Sequence, residues 1–297
     1  GFIDQHTHGA AGNDVMDGTT DALETMATAL AMEGTTAFLS TTAMQSPKDI
    51  EKSLCAVKEY MEAAHQTGAE IIGVHLEGPF ISCAYSGALL AEYLEAPSIE
   101  AFKRYEKASG NNIKLVTMAV EEDGADALVE YLVSKDIVVS IGHTNSNYKD
   151  VEKAVKAGAT CVTHTFNAQK PIHHREVGTA GSALLFDELY CEAICDGIHL
   201  SPPASEVLWK NRDAHKMVLV TDSLRAKVMP DGEYIEAGNQ KVIVKNGAGR
   251  LEDGTLAGST AKMNEAVSNV MEFVGVDLAA AVKLASENPA KNLGVFD

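Results

Sequence analysis

The chain has 297 residues, of which 45% are hydrophobic and 22% are charged, which suits one large α/β barrel or two medium domains. A formal net charge of −18 argues against non-specific binding to nucleic acid or to an anionic membrane. Five cysteines without paired spacing predict free thiols and a cytoplasmic location. We recognise no signal peptide and no apolar run near the ~20 residues that span a bilayer.

Short apolar, β-branched runs alternate along the chain with segments of helical period. Eight such runs predict strands, which begin at Gly1, Thr36, Glu70, Ile113, Ile137, Thr160, Tyr190 and Met217. Helical periodicity predicts helices over Thr20–Glu33, Lys48–Gln66, Ser98–Ser109, Ala125–Lys135, Tyr148–Ala157 and, more briefly, Ser205–Lys210. Because strands that alternate with helices form parallel β-α units, the sequence predicts an α/β protein with a (β/α)8 barrel of the TIM type.

Two segments interrupt this alternation. Ser82–Pro97 predicts a long loop after the third strand, and Met229–Gly258 predicts a β-hairpin insert after the eighth, because runs such as KVIVKNG alternate between Gly-rich stretches. The segments Met263–Val274 and Leu278–Ser286 predict two closing helices. We therefore expect one barrel domain over residues 1–297 with an insert over residues 229–258.

The first predicted strand ends in His6-Thr7-His8, followed by Gly9 and Gly12. Residues two apart in a strand face the same side, so both imidazoles can point at one place before the glycines turn the chain away. Such a pair also occurs by chance in surface turns. A metal site requires further ligands placed in the same way.

Titratable side chains lie at the C-terminal ends of most predicted strands, which is where barrels of this type have their active sites. They are His6, His8, His75, Glu77, His143, His164, Asp196, His199 and Asp222. Imidazoles with a carboxylate are the ligand set of Zn²⁺ or a similar ion, so His143 and His164 are predicted metal ligands. A lone His75 is interpreted as a core residue or as a residue that supports the metal ligands without binding the metal. Asp222 closes an apolar run and is the candidate general base, with a helix N-cap as the alternative interpretation.

A more basic segment, FNAQKPIHHREVG, follows the sixth strand and carries Asn167, His173, His174 and Arg175. Arginine offers a planar fork suited to phosphate, and backbone N–H groups near Asn167 and Ala168 add donors. In an acidic chain this cluster indicates an anionic group on the substrate. The alternative is a solvated basic loop.

Taken in order, several stretches resemble the N-acetylglucosamine-6-phosphate deacetylase family of the amidohydrolase superfamily. They are GFIDQHTHGAAG, VHLEGPFIS, VSIGHT, VTHTFNA, HHREVG, ICDGIH, LVTDS and DGTLAGS, and they cover essentially the whole chain. The resemblance implies a hydrolase that removes acetate from N-acetylglucosamine 6-phosphate and leaves glucosamine 6-phosphate, in amino-sugar recycling. It also implies that Asp222 is the catalytic acid/base and that His199 contacts the substrate near the scissile amide.

The resemblance further implies a metal centre and a set of substrate contacts. Glu77, His143 and His164 match the principal ligands of a divalent ion, with Zn²⁺ favoured and Fe²⁺ as the alternative. His6 and His8 match a pair that holds a second ion together with Glu77 and Asp222. The implied substrate contacts are Ala88, Leu89, Asn167, Ala168, His174, Arg175, Asp196, Gly197, Ile198, His199, Leu256, Ala257 and Gly258. Relatives are commonly dimers, so a homodimer is one expected assembly.

Three features depart from the family pattern. Gly87-Ala88-Leu89 stands where members usually carry Gly-Ala-His or Gly-Ala-Gln, and leucine cannot make the polar contact to the sugar. Gln169 replaces a usual methionine after Asn167-Ala168. Members also build a small β-sandwich domain from both termini, whereas this sequence starts at the first strand and stops at NPAKNLGVFD. We expect either a fragment or a barrel that lacks most of that sandwich.

Three alternative functions stay open at this point. The first is a deacetylase of N-acetylgalactosamine 6-phosphate. The second is an amidohydrolase of cyclic amides or N-acyl amino acids, although such relatives often use a bridging lysine, and no predicted strand here ends in one. The third is an inactive barrel that binds a sugar phosphate or a metal without turnover.

Overall fold

The computed structural model describes residues 1–63 and 67–296. Eight parallel strands lie side by side in chain order: β1 (Phe2–Thr7), β2 (Thr35–Thr42), β3 (Glu70–Glu77), β4 (Ile113–Met118), β5 (Val138–Ile141), β6 (Cys161–Val162), β7 (Tyr190–Ala193) and β8 (Met217–Leu219). A parallel bridge pairs Thr7 with Ser223, and the N–H of Asp222 donates to the carbonyl of His6 at 2.8 Å. These contacts join β8 to β1, so the predicted barrel is confirmed.

Helices cover the outside of the barrel and pack their apolar faces against the strands. They are α1 (Thr20–Ala31), α2 (Pro47–Glu62), α3 (Ile99–Ala108), α4 (Ala125–Val133), α5 (Tyr148–Ala157), α6 (Gly178–Leu185), α7 (Pro202–Lys216), α8 (Met263–Val274), α9 (Leu278–Leu284) and α10 (Glu287–Asn292). In α1, for example, Leu23, Met26 and Leu30 are buried at helical spacing. The main core therefore lies between the strands and the helices.

The helices differ from the predicted ones at α6 and α7, and α10 follows the two predicted closing helices without having been predicted. The sequence did not predict α6, because half of GTAGSALL consists of Gly, Thr and Ser, which have low helix propensity. α7 begins earlier than predicted, since Ser201 caps the N–H of Ala204 and prolines occupy the first turn. The predicted end of the second helix at Gln66 falls on residues 64–66, which lie outside the described residues.

The predicted insert is a four-stranded antiparallel sheet, composed of β9 (Gly232–Glu236), β10 (Gln240–Lys245), β11 (Ala248–Arg250) and β12 (Leu256–Ser259). The expected hairpin is β9–β10, in which Tyr234 faces Val242. Two further turns widen the sheet, and each contains a glycine in the left-handed region, Gly247 and Gly254. A bridge from Ser223 to Ser259 joins the insert to the end of β8. Among the described residues, the β-sandwich that the resemblance implied is absent.

All five cysteines are unpaired, as predicted. Cys55 and Cys83 are exposed, and burial raises the pKa of the Cys191 and Cys195 thiols to about 12. Across residues 1–63 and 67–296, the structure contains no helix whose length and apolar character would let it cross a membrane.

Candidate metal centre and substrate cavity

Six buried side chains converge at the mouth of the barrel, where the carboxyl ends of the strands meet. His6 lies in β1, with His8 just after it, and Glu77 ends β3. The other three follow β5, β6 and β8. We name this set the mouth cluster; its members are His6, His8, Glu77, His143, His164 and Asp222. The structure thus brings together every residue that the sequence singled out as a metal ligand.

Glu77 connects the two halves of the mouth cluster. Its Oε1 lies 3.3 Å from Nε2 of both His143 and His164. Its Oε2 lies 3.2 Å from Nε2 of His8. On the other side, Asp222 Oδ1 is 3.3 Å from Nε2 of His6 and 3.2 Å from Nε2 of His8. The carboxylate of Glu77 can therefore contribute to two neighbouring cation positions.

Hydrogen bonds fix the orientation of three imidazoles. Nδ1 of His143 donates to the carbonyl of Tyr85 at 2.8 Å, and Nδ1 of His164 donates to the carbonyl of Asn167 at 3.1 Å. Nδ1 of His6 donates to Glu192 at 2.9 Å. Because these partners only accept, the proton belongs on Nδ1 and the lone pair of Nε2 faces the cluster.

The arrangement of donor atoms fits a divalent cation. Nε2 of His143 and Nε2 of His164 are 3.0 Å apart, and Nε2 atoms of His6 and His8 are 3.3 Å apart. Lone pairs at these distances repel each other unless a proton or a metal ion lies between them. Glu77 Oε1 is also buried without a hydrogen-bond partner among the described residues. Imidazole and carboxylate ligands are those that Zn²⁺ and Fe²⁺ take.

The electrostatics of the cluster also favour added positive charge. Burial lowers the pKa of His6, but the carboxylates of Asp222, Glu77 and Glu192 outweigh burial and raise the pKa well above its usual value. For His8, burial opposes the same two cluster carboxylates, which raise its pKa to about 10. Burial raises the pKa of Glu77, yet the surrounding histidines hold it well below the ordinary range. The cluster therefore attracts cations.

The backbone bends sharply at three cluster residues. His143, His164 and Asp222 have φ values of 48°, 28° and 47°, in the left-handed region that non-glycine residues rarely adopt. Each such residue stores about 1–3 kcal/mol of strain, which the surrounding fold must hold. This bend also ends β6 at Val162, whereas the predicted strand continued to Asn167.

Glu192 supports both halves of the cluster, and sequence reasoning missed it. It is fully buried in β7, and its Oε2 accepts from His6 Nδ1 and from the N–H of His164 at 3.1 Å. Its Oε1 accepts from Gln5 at 2.8 Å. The available signal was an acid inside YCEAI, an otherwise apolar strand. His75, predicted as a core residue, is fully buried and pairs with Thr117 at 2.7 Å, which confirms that interpretation.

A cavity of about 270 Å³ lies beside the mouth cluster. Eight of the predicted substrate contacts line it, namely Ala88, Leu89, Asn167, Ala168, His199, Leu256, Ala257 and Gly258. Asp196 lies behind His199: its Oδ2 is 2.6 Å from His199 Nδ1, and its Oδ1 accepts from the N–H groups of Ile198 and His199. Asp196 therefore fixes the ring of His199.

Other predicted contacts lie elsewhere. Among the residues that the structure describes, Gly197, Ile198, His174 and Arg175 do not line the cavity. Ile198 borders a separate groove on the insert sheet. His174 and Arg175 are exposed on the loop after Asn167, with Arg175 Nη1 2.6 Å from His174 Nε2.

Sequence reasoning also missed part of the cavity wall, formed by Asp14, Gln45, Glu236 and Gln240. Burial and the nearby Asp14 raise the pKa of Glu236 to about 7, against the lowering effect of Arg225. No local motif marks these residues, because they reach the cavity from the segment after β1, the loop after β2 and the insert sheet.

Comparison with known proteins identifies the family of the chain. The Amidohydrolase family matches residues 1–297. The chain belongs to the amidohydrolase family. It is 42% identical to the N-acetylglucosamine-6-phosphate deacetylase of Bacillus subtilis (strain 168), over 100% of this chain and 75% of that protein. It is 33% identical to the N-acetylgalactosamine-6-phosphate deacetylase of Escherichia coli O157:H7, over 99% of this chain and 77% of that protein.

Solved structures of this amidohydrolase group superpose closely on the chain. The N-acetylglucosamine-6-phosphate deacetylase of Thermotoga maritima has a TM-score of 0.92 at 37% identity, over 100% of this chain and 79% of that one. A mutant of the Mycobacterium smegmatis deacetylase, in complex with N-acetyl-D-glucosamine-6-phosphate, has a TM-score of 0.92 at 31% identity, over 99% of this chain and 77% of that one.

Proposed function

We propose that this amidohydrolase removes acetate from N-acetylglucosamine 6-phosphate and releases glucosamine 6-phosphate, in the recycling of amino sugars. The observation that carries the proposal is the mouth cluster, whose six ligand groups converge beside a cavity lined by Asn167 and His199. The relatives described above are named for this substrate or for its galactose-configured counterpart, which supports the same reaction.

The donor set fits one or two divalent ions. Glu77, His143 and His164 would hold one ion, and His6, His8 and Asp222 would hold the other, with Glu77 between them. When bound, such a cation supplies Lewis-acid polarisation of a carbonyl and increases the acidity of water. We propose Zn²⁺, with Fe²⁺ as the alternative, because both take imidazole and carboxylate ligands.

Asp222 is the proposed proton carrier. Burial raises the pKa of its carboxyl, but His6 and His8 hold the pKa below the ordinary range, so Asp222 is ionised at neutral pH. An ionised carboxylate accepts a proton from the water that attacks the acetamide carbon. The same oxygen then returns the proton to the departing nitrogen, so that acetate and a free amine result.

His199 is the proposed donor to the oxygen on which negative charge develops. The carboxylate of Asp196, 2.6 Å from Nδ1, orients the ring. With a proton on Nε2, the ring donates to the oxyanion of the acetamide, as preorganised donors do in acyl transfer. Asp196 is thus a positioning residue for His199.

The remaining predicted contacts are assigned to the sugar phosphate. Asn167 and Ala168 line the cavity, and the exposed His174 and Arg175 follow them on the same loop. We propose that this loop supplies the positive charge for the phosphate, since the chain as a whole is acidic. The segment Leu256–Gly258 lines the cavity from the insert sheet and is proposed to close over the substrate.

The test measures acetate release by the purified, metal-analysed protein. Substrates are N-acetylglucosamine 6-phosphate, unphosphorylated N-acetylglucosamine and N-acetylgalactosamine 6-phosphate. We expect release from the first sugar and little from the unphosphorylated one. Equal rates with and without phosphate would refute the assignment of a sugar-phosphate substrate, and no release from any sugar would point to a barrel that binds without turnover.

A deacetylase for N-acetylgalactosamine 6-phosphate is the second candidate, because the 33% identical relative from Escherichia coli carries that name. The two sugars differ in the configuration of one hydroxyl, so the same assay separates them. We further propose a cytoplasmic location, supported by five unpaired thiols. A homodimer stays a prediction, which sedimentation of the purified protein measures.

A further inference from the structure

One wall of the cavity carries polar groups for which the proposed mechanism has no use. Gln45 follows β2 and lines the cavity; its side chain is 6% exposed. Within the described part of the chain its amide makes no hydrogen bond, and its two amide atoms are accessible from the cavity rather than fully buried. Gln45 can therefore both donate to and accept from a ligand in the cavity.

Glu236 stands at the end of β9 on the same wall and is 8% exposed. Its Oε2 accepts from Arg225 Nε at 3.2 Å, and Arg225 also donates to Asp17 at 3.1 Å, so the side chain is held at one oxygen. Within residues 1–63 and 67–296, the other oxygen, Oε1, has no hydrogen-bond partner. An ionised Oε1 accepts from a hydroxyl, and a protonated one donates to it.

The turn between β9 and β10 connects these two residues with the loop after β3. Nε2 of Gln240 donates to the carbonyl of Ala88 at 2.8 Å, and Oε1 of Gln240 is unpaired among the described residues. Gly238 packs so closely that an added Cβ would lie 2.5 Å from Gln45 Nε2 and 2.4 Å from Leu90 Cδ1. Gln45, Glu236 and Gln240 thus share one wall with the Ala88-Leu89 loop.

Leu89 lines the same cavity and offers only an apolar side chain. We propose that Gln45, Glu236 and Gln240 form a subsite that hydrogen-bonds to the ring hydroxyls of the amino sugar and replaces the contact Leu89 cannot make. An amide both donates and accepts, and a carboxylate accepts, which matches the two roles of each hydroxyl. The inference rests on the proposed function, because it assigns the sugar-recognising part of the same site.

The experiment compares substrates that lack single hydroxyls. Acetate release is measured for N-acetylglucosamine 6-phosphate and for its 1-deoxy, 3-deoxy and 4-deoxy analogues, with the metal-loaded wild type and the variants Gln45→Met and Glu236→Gln. For the wild type we expect kcat/KM to fall about ten- to a hundred-fold with at least one analogue. Each variant is expected to lose a similar factor on the parent sugar and to discriminate less against that analogue.

Glu233→Gln is the matched control, because Glu233 lies on the same strand with an exposed side chain. It is expected to discriminate between the sugars as the wild type does. The subsite would be overturned if each variant lost the same factor in kcat/KM on the parent sugar and on every analogue. It would also be overturned if the wild type had the same kcat/KM for the parent sugar and for every deoxy analogue. A wild type that does not act on the parent sugar would overturn the proposed function and this inference with it. The two variants lie on different segments, so misfolding of one leaves the other as a test.

Discussion

Two buried charged clusters lie against the junction of β1 and β8, and they differ in how their charges are satisfied. The first consists of Asp4, Glu33 and Lys227, which we name the seam cluster. Lys227 Nζ lies 2.6 Å from Glu33 Oε1, with both side chains buried. Asp4 accepts from the Thr221 hydroxyl at 2.5 Å and from the N–H groups of His6 and Thr221. The second is the mouth cluster.

The comparison shows that burial and charge do not by themselves identify a functional site. In the seam cluster, burial raises the pKa of Asp4 and of Glu33, and Lys227 opposes this effect for both. The protein therefore supplies its own cation. In the mouth cluster, acceptor atoms face one another and the charge that would balance them must be added. Glu33 Oε2 also lacks a hydrogen-bond partner among the described residues, so one unpaired oxygen does not make a binding site. The feature that marks the mouth cluster is several acceptor atoms that face one another with no lysine or arginine of the described chain between them.

The largest effect is expected from Asp222→Asn in the mouth cluster. An amide cannot take a proton from water at neutral pH, so kcat should fall about 10²–10⁴-fold with the melting temperature little changed. Steady-state acetate release, together with metal analysis of the same sample, measures this. Full activity in a metal-loaded variant would show that another group carries the proton.

The seam cluster should respond in stability rather than in chemistry. Lys227→Met leaves the buried Glu33 without its partner, and we expect a loss of about 3–5 kcal/mol in the free energy of unfolding. The double variant Lys227→Met, Glu33→Gln removes the unpaired charge and should recover part of that loss. Urea unfolding compares the three proteins. A single variant as stable as the wild type would show that the ion pair is not structural.

Removal of the histidine pair tests whether the mouth cluster holds a second ion. In the double variant His6→Ala, His8→Ala we expect bound metal to fall by about one ion per chain, since Glu77, His143 and His164 still form a three-ligand site. Elemental analysis after dialysis gives the count. Identical metal content in variant and wild type would exclude the pair from the site.

Glu192→Gln should give a smaller effect, because Glu192 acts through the ligands. The amide oxygen still accepts from His6 Nδ1 and from the N–H of His164, but the negative charge is lost and the new NH2 group faces Gln5 Nε2, which is also a donor. Metal affinity should fall about ten- to a hundred-fold, measured by competition with a chelator. Glu188→Gln, an exposed acid just before β7, is the control and should bind metal as the wild type does.

The convergence of the mouth cluster was predictable from the sequence for a geometric reason. Parallel strands in a barrel all end at the same rim, so His143 after β5 and His164 after β6 had to meet there. The match of residue types to a known family then assigned roles. The seam cluster was not predictable, because Glu33 and Lys227 are 194 positions apart and neither belongs to a motif.

The part of the cavity wall that the insert sheet supplies, Glu236 and Gln240, could not be predicted for a related reason. Alternating residues indicated a hairpin, but the side of the hairpin that faces the barrel depends on turns at Gly238, Gly247 and Gly254. Glu236 could equally have been a solvated end of a strand. Local periodicity predicts elements well and predicts poorly which polar residue of an element becomes buried, since burial depends on distant packing partners.

The smallest predicted effect extends the comparison to a buried neutral group. Gln169 is 4% exposed, and both of its amide atoms are unpaired among the described residues. Gln169→Met keeps the length of the side chain and removes the unpaired amide, so we expect about 1 kcal/mol of stabilisation, seen as a higher melting temperature. Gln240→Met makes the same change where the amide donates to Ala88, so it should lower the melting temperature. If Gln169→Met instead destabilised the protein, a buried water would be the partner of Gln169, and its amide would be paired in the folded chain.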